Sequence, residues 1–495
     1  MVFASLIFLY IFLPLNLLVY FGKSIRDFCH IALRSPAQIP SYFAQIGEPA
    51  TQFQNLVLVA FSMLFYAWGE PIWLSLLLYS SAIDWKMGQF IEKYQGTAKA
   101  KIPLIISLLS NLSLLAAFKY CDFFVGTVNG ILGLNIHSPG FSLPIGISFY
   151  TFQTISYVID VYRGEVKSQR KFLDFLLFVS LYHQLVAGPI VRYVHIAHEI
   201  KNRRHTWTDF SYGLHRVCFG LFKKVFVANV LGEWANASLN SDLTQISLVD
   251  AWLGLIMFTL QIYFDFSAYS DMAIGLGRMF GFHYLENFNH PYISRSVTDF
   301  WRRWHISLST FFRDYIYIPL GGNQTKAMRN LFIVWGLTGL WHGASWNFVI
   351  WGLYFGVFIA FERMFLAKFL GTLPKFLSHI YLLFVVVIGW AIFYFTDFSK
   401  LALFLKVLFG FTSNPFTSIH TANNVTSRIF VLVLAIVWCA PLGDWLKSYV
   451  MKLGRNPLNQ YYGWVFLLIL DVVMLLSCTS LLVGQSYNPF LYFRF

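Results

Sequence analysis

A single histidine lies deep inside one of the long charge-free runs of the chain. Between Asn330 and Phe361 the sequence reads NLFIVWGLTGLWHGASWNFVIWGLYFGVFIAF, and His342 is its one histidine or charged residue. An ionised side chain at bilayer depth costs roughly 2.5–3.5 kcal/mol on insertion scales, so a titratable group in such a run needs a partner or a function. A neutral imidazole among aromatics such as Trp341 and Trp346 can take up a proton, as a general base must. A histidine hydrogen-bonded to a neighbouring helix is the other reading. Gly339 and Gly343, four apart, let a neighbouring backbone or a narrow ligand come close.

Two further stretches carry polar residues that can do chemistry. In TDFWRRWHISLSTFFRDYIYIPLGG, Thr298 to Gly322, a helix would put Trp301, His305 and Ser309 on one face and pair Asp299 with Arg303 on another. Such an amphipathic segment lies in the interface or re-enters the bilayer, turning His305 inward and sending Arg302 and Arg313 towards phosphates or headgroups. A surface helix with its basic face on anionic lipid fits the same pattern. In QIYFDFSAYSDMAIGLGRMFGF, Gln261 to Phe282, Gln261, Asp265 and Tyr269 share a face, with Ser267 and Asp271 beside it. Carboxylates in an apolar helix face a polar cavity, where substrate contact or a structural network is expected.

Other patterns carry less. His195, His198 and Glu199 have ligand-like spacing but lack HExxH and precede a basic loop, and a haem held by His183 and His342 has spacing alone to support it. Asn236-Ala-Ser and Asn424-Val-Thr match glycosylation sequons, a short pattern with many chance matches. The five cysteines (29, 121, 218, 439, 478) form no CxxC pair and read as packing residues.

The elements that must position these residues are membrane helices. Of 495 residues, 57% are hydrophobic and only 12% charged, which excludes a soluble globular domain and disorder alike. The 19% of aromatic residues fits a large lipid-facing surface with interfacial belts. The net charge of +13 is read as orientation and attraction to anionic headgroups, with no nucleic-acid motif beside it. Apolar windows lie at 1–22, 49–69, 71–83, 102–118, 123–159 (a short helix and a span), 175–191, 251–264, 330–361, 376–396, 429–443, 456–470 and 472–493. They predict an all-α polytopic protein of about 11 transmembrane helices. The first window lacks a basic n-region and a cleavage site and is read as a retained span. Most of the basic clusters at 86–101, 163–171, 201–224, 295–313 and 447–455 are placed in the cytoplasm by the positive-inside rule. No repeat or linker divides the chain, which is expected to be one membrane domain over 1–495 with its active region near 261–361.

Read in order, LFYAWGEP (64–71), LPIGISFYTFQTISYVIDVYRGE (143–165), AGPIVRY (187–193), GLFKKVFVAN (220–229), NFNHPYISRSVTDFWRRWHISLS, GLTGLWHGASWNFVIWGLYFG and the terminal NPFLYFRF resemble the membrane-bound O-acyltransferase (MBOAT) family. The likeness is to its bacterial branch of alginate O-acetylases and peptidoglycan O-acetyltransferases, to which the teichoic-acid D-alanylation protein is similar, and it spans nearly the whole chain. The resemblance implies an MBOAT-type bundle with re-entrant or interfacial helices around a central tunnel, His342 as catalytic histidine and His305 as the second active-site histidine. The stretch Lys23–Gln52 is longer than the family's usual link between its first two spans.

What the resemblance implies further is an acetyltransferase of the bacterial cytoplasmic membrane. Acetyl-CoA is the expected acyl donor and an extracytoplasmic polysaccharide the acceptor, with an SGNH-type partner completing transfer. No metal or redox cofactor is expected. Arg302, Arg303 and Arg313 are assigned to donor phosphates, and Asp265, Tyr269, Trp341 and Trp346 to substrate or donor contact. Transfer of D-alanine to teichoic acid is the alternative within the family. An ion-coupled transporter built on Asp265 and Asp271 predicts inverted repeats, which are not visible, and a synthase scaffold would tolerate loss of both histidines.

Overall fold

A computed structural model describes residues 2–34, 50–185, 188–442, 457–484, 487–488 and 490–491. Among these residues every regular element is a helix, and no β-strand forms. In a bilayer the usual amphipathic pattern is inverted, because lipid tails are as apolar as leucine and cannot satisfy a polar group. Helix Lys101–Leu115 follows this logic. Ile102, Ile105, Ile106, Leu109 and Leu112 form an exposed stripe, while Pro103, Ser107, Asn111 and Leu115 at four-residue spacing are buried. The hidden polar groups all have partners. Asn111 Nδ2 donates to both carboxylate oxygens of Asp84 at 3.0 and 2.8 Å, and the Ser107 hydroxyl donates to the same carboxylate.

Six of the described helices are long and apolar enough to cross a membrane: Ala98–Leu132, Leu248–Met279, Trp346–Thr372, Lys375–Tyr394, Thr421–Trp438 and Val465–Gly484. A shorter apolar helix covers Phe8–Tyr20. The protein is a polytopic helical membrane protein. Several windows resolve differently from the charge count. Windows 456–470 and 472–493 belong to one helix, Pro457–Gly484, because the Asp471 that separated them is buried. Window 175–191 holds no spanning helix. Its described part is two short helices, Phe172–Ser180 and Tyr182–Leu185, whose residues from Asp174 onward are buried, so its apolarity serves protein contacts. Window 123–159 divides differently from the expected short helix and span: Cys121–Leu132 ends the long apolar helix Ala98–Leu132, and after a loop Ile147–Arg163 is a largely buried helix that is not among the six. The basic cluster at 447–455 and much of the Lys23–Gln52 link lie outside the described residues.

The chain forms two compact units. The first is Met1–Cys218 with Tyr269–Leu285, the second Phe219–Ala268 with Glu286–Phe495. Helix Leu248–Met279 gives residues up to Ala268 to the second unit and the rest to the first. At the heart of the first unit the guanidinium of Arg203, 2% exposed, donates to Tyr20 Oη at 2.9 Å, Asn55 Oδ1 at 2.6 Å and the Phe280 carbonyl at 3.1 Å.

The second unit is built on a helical hairpin. Window 330–361 is two helices, Ala327–His342 and Trp346–Phe361, which pack against each other; Lys375–Tyr394 packs against the second. Glycine permits the approach. A Cβ on Gly339 would strike the Phe348 carbonyl, and one on Gly352 that of Trp335. The partner of the small-residue pair is therefore the second half of the same run. Rings fill the rest: Trp301 lies 5.0 Å from Trp335, 5.5 Å from Trp351 and 4.9 Å from Phe355. Such pairs contribute about 0.5–1.5 kcal/mol each beyond burial.

Candidate active site

His342 is the last residue of its helix, at the break that Gly343 to Ser345 makes in the hairpin. Its ring meets the edges of Trp351 and Phe393 at 4.9 and 5.6 Å, with the Trp341 ring 5.0 Å away. The imidazole faces a small cavity. The space open to the centre of a water molecule is about 20 Å³, room for one or two water-sized groups. Ile262, Asp265 and Phe266 line it from the long helix, Trp304, Trp390 and Phe393 from other helices or their ends, and Phe490 and Leu491 complete the wall. All of these belong to the second unit.

The segment around His305 is not the continuous helix that the 301–305–309 spacing suggests. Two short helices, Val297–Arg303 and Ile306–Phe312, flank His305, whose backbone has φ 45° and ψ 55°. A non-glycine residue there costs of order 1–3 kcal/mol and persists when its surroundings enforce it. Asn287 is the enforcer. Its carbonyl accepts the Ile306 N–H at 2.9 Å, and its side-chain oxygen accepts the Ser307 N–H at 3.1 Å and the Ser307 hydroxyl at 2.9 Å, so it caps the second helix from outside.

The same Asn287 oxygen lies 3.2 Å from His305 Nδ1. Because that atom accepts a backbone N–H it must be oxygen, so Nδ1 carries the proton and the lone pair of neutral His305 sits on Nε2. His305 Nε2 is buried without a partner. The ring abuts Phe266, a cavity wall, at 4.6 Å and lies 6.0 Å from Trp341, near enough to His342 for their charges to oppose each other. A basic nitrogen without a partner beside a cavity-lining imidazole is a pair suited to proton transfer.

The remaining expected residues divide. Asp265 faces the cavity, but one of its oxygens meets Lys224 Nζ at 2.6 Å and the other accepts the Leu491 N–H at 2.8 Å. Trp341 is buried between the histidines, whereas Trp346, 48% exposed, heads its helix on the outer face. Tyr269 belongs to the first unit, stacked on Phe3 at 4.5 Å. Arg303 pairs with Asp299 at 3.0 Å as the spacing suggested, exposed Arg313 pairs with Asp314 at 2.6 Å, and Arg302 is exposed.

Sequence reasoning passed over Asn287, Lys224, Trp304, Trp390, Phe393, Phe490 and Leu491. Lys224 offered a signal, since a lysine in the apolar stretch FKKVF needs a counterion. The others are apolar or amide side chains of ordinary type.

Comparison with known proteins agrees with this architecture. Residues 164–405 match the model of MBOAT, the membrane-bound O-acyltransferase family, a range containing both histidines. The chain is 37% identical to a probable alginate O-acetylase of Pseudomonas putida over all of both chains. It is 34% identical to a peptidoglycan O-acetyltransferase of Helicobacter pylori, covering 100% of this chain and 98% of the other. A teichoic acid D-alanyltransferase of Bacillus subtilis is 29% identical over 45% of this chain and 59% of its own. The chain thus belongs to the membrane-bound O-acyltransferase family and is a multi-pass membrane O-acyltransferase.

Proposed function

We propose that this protein moves an acetyl group from acetyl-CoA on the cytoplasmic side of the bacterial inner membrane to an extracytoplasmic polysaccharide of the alginate or peptidoglycan kind. An SGNH-type partner completes delivery. The observation that carries the reading is His342 at a cavity sized for a two-carbon acyl group, with the basic nitrogen of His305 without a partner close by. Full-length likeness to proteins named as alginate and peptidoglycan O-acetylating enzymes supports the substrate class.

In this reading the donor's phosphates keep CoA in the cytoplasm, and only its acyl end reaches the cavity. An acceptor hydroxyl attacks the thioester carbonyl while His342 takes its proton. The carbon–sulfur bond breaks, and the proton returns to the departing thiolate. His305, protonated on Nδ1 by its bond to Asn287, accepts a hydrogen bond at Nε2 and so orients the hydroxyl or the His342 ring. Arg302, Arg303 and Arg313 meet donor phosphates; Arg303 and Arg313 would exchange Asp299 and Asp314 for them.

The test is His342→Ala in cells lacking the native copy, with membrane insertion confirmed by protease accessibility. Losing a general base lowers rate by about 10²–10⁴-fold, so O-acetyl content of exopolysaccharide and wall falls to background. Unchanged acetylation overturns the reading. Turnover with a D-alanyl carrier protein and none with acetyl-CoA replaces it by D-alanyl transfer.

A further inference from the structure

Two sides of the cavity are built differently. Trp304, Trp390 and Phe393 are locked to one another, with ring centroids 5.0 Å apart for the first pair and 5.6 Å for the second, and Trp390 and Phe393 lie one turn apart on helix Lys375–Tyr394. Phe490 and Leu491 lie beyond helix Pro457–Gly484, outside the described α-helices. Hydrogen bonds from distant residues reach this stretch. The Leu491 N–H donates to Asp265 Oδ2 at 2.8 Å, and nearby Asn229 Nδ2 donates to Asn488 Oδ1 at 3.1 Å.

Asp265 is well placed to be the latch. It is 2% exposed, and its charge is matched by the buried Lys224 ammonium at 2.6 Å. A carboxylate so compensated is a poor ligand for further cations, yet its second oxygen still binds a backbone N–H strongly. We propose that Phe490 and Leu491 set the upper size of the acyl group this site accepts, and that Asp265 is the positioning residue that holds them against the cavity. The inference rests on acetyl transfer as the reaction. It adds what selects the acyl group and turns Asp265 from a substrate contact into the anchor of a wall.

The physical consequence is a size cut-off. Room for one or two water-sized groups takes a methyl and a carbonyl oxygen, and a longer chain must displace a ring or the Leu491 side chain. One methylene too many or too few in an apolar pocket changes turnover by about 10- to 200-fold. Shortening Phe490 or Leu491 should therefore admit longer acyl groups, whereas Trp390 is braced by ring contacts to Trp304 and Phe393.

The experiment feeds acetyl-CoA or butyryl-CoA to inverted membrane vesicles carrying the full chain, its SGNH-type partner and its cellular acceptor, and scores acylated polysaccharide by mass. Wild type is expected to favour acetyl by more than about tenfold, and Phe490→Ala and Leu491→Ala to raise the butyryl-to-acetyl ratio about tenfold or more. Asp265→Leu should raise the ratio too, whereas Asp265→Glu, which keeps one oxygen for Lys224 and one to accept from Leu491, should stay near the wild-type ratio whatever its rate. This rescue is one a merely structural aspartate would not give. If the alanine variants do not insert, Phe490→Leu replaces them, with a smaller rise expected.

An unmoved ratio in wall variants that still transfer acetyl overturns the size limit. A raised ratio in the wall variants but not in Asp265→Leu overturns the latch. Failure of wild type to transfer acetyl at all rejects the proposed function instead.

Discussion

The two units each bury a basic nitrogen-bearing side chain, and they treat it in opposite ways. In the first, Arg203 is surrounded by acceptors from four elements, and the Phe282 ring covers its face at 4.6 Å. Nothing about it is left to react. In the second, Asn287 satisfies one nitrogen of His305 and leaves the other without a partner, next to a histidine on a cavity. A saturated buried network specifies structure, while an unsatisfied one persists when its cost is offset elsewhere, which happens at functional sites. A nitrogen without a partner is not enough by itself. His183 Nε2 also lacks one, but that ring is enclosed by Phe280, Phe282 and Tyr284, and its other nitrogen is bonded to the Tyr284 hydroxyl at 2.7 Å.

The contrast breaks most visibly at Arg203. Arg203→Ala should cost about 2–4 kcal/mol, because Asn55, Tyr20 and a backbone carbonyl lose their donor in a dry site. A large fall in melting temperature and folded yield in detergent is expected, with acetylation per folded molecule nearly unchanged. Normal stability with lost acetylation would erase the distinction between the two networks.

The converse holds at Asn287. Asn287→Leu removes the acceptor that fixes the His305 tautomer, and loss of such an orienting bond typically costs about 10–100-fold. That loss should appear in kcat more than in KM. Asn287→Asp puts a carboxylate beside Nδ1, favours the imidazolium, and should move the acid limb of the pH–rate profile to higher pH. A profile that stays in place shows that His305 does not titrate in the rate-limiting step.

The smallest effect is a control outside the spans. His283 Nδ1 meets Glu199 Oε1 at 2.7 Å, and this hydrogen bond, opposed by partial burial, raises the imidazole above its ordinary pKa. A raised folded pKa adds stability that is complete below about pH 6.5 and fades as pH rises through the folded value. The pair is partly exposed, so less than about 1 kcal/mol is at stake. Melting temperature should fall slightly between about pH 6 and about pH 8.5 in wild type, and Glu199→Gln should flatten that slope.

Much of this was legible without coordinates. A lone histidine in an apolar run marks a functional candidate because the bilayer penalises a titratable group that has neither a partner nor a function, and the 3.6-residue period puts Asp299 beside Arg303 on any helix. Local steric rules decide such pairs. The fate of window 175–191 was not legible, since an apolar run reads alike whether lipid or protein covers it. Nor was the kink at His305, because its cause is an asparagine eighteen residues away whose oxygens accept the Ile306 and Ser307 N–H groups.

The sequence by itself determined the class of molecule and the apolar runs that become helices, consequences of composition in a solvent that cannot hydrogen-bond; it singled out His342 by its place in such a run and His305 through the family resemblance. Only the tertiary structure decided which nitrogen of His305 is basic, what Asp265 holds, and that Phe490 and Leu491 reach His342's cavity. Those outcomes rest on single hydrogen bonds and ring contacts between distant stretches of chain, and no pattern along the sequence encodes a distance in space.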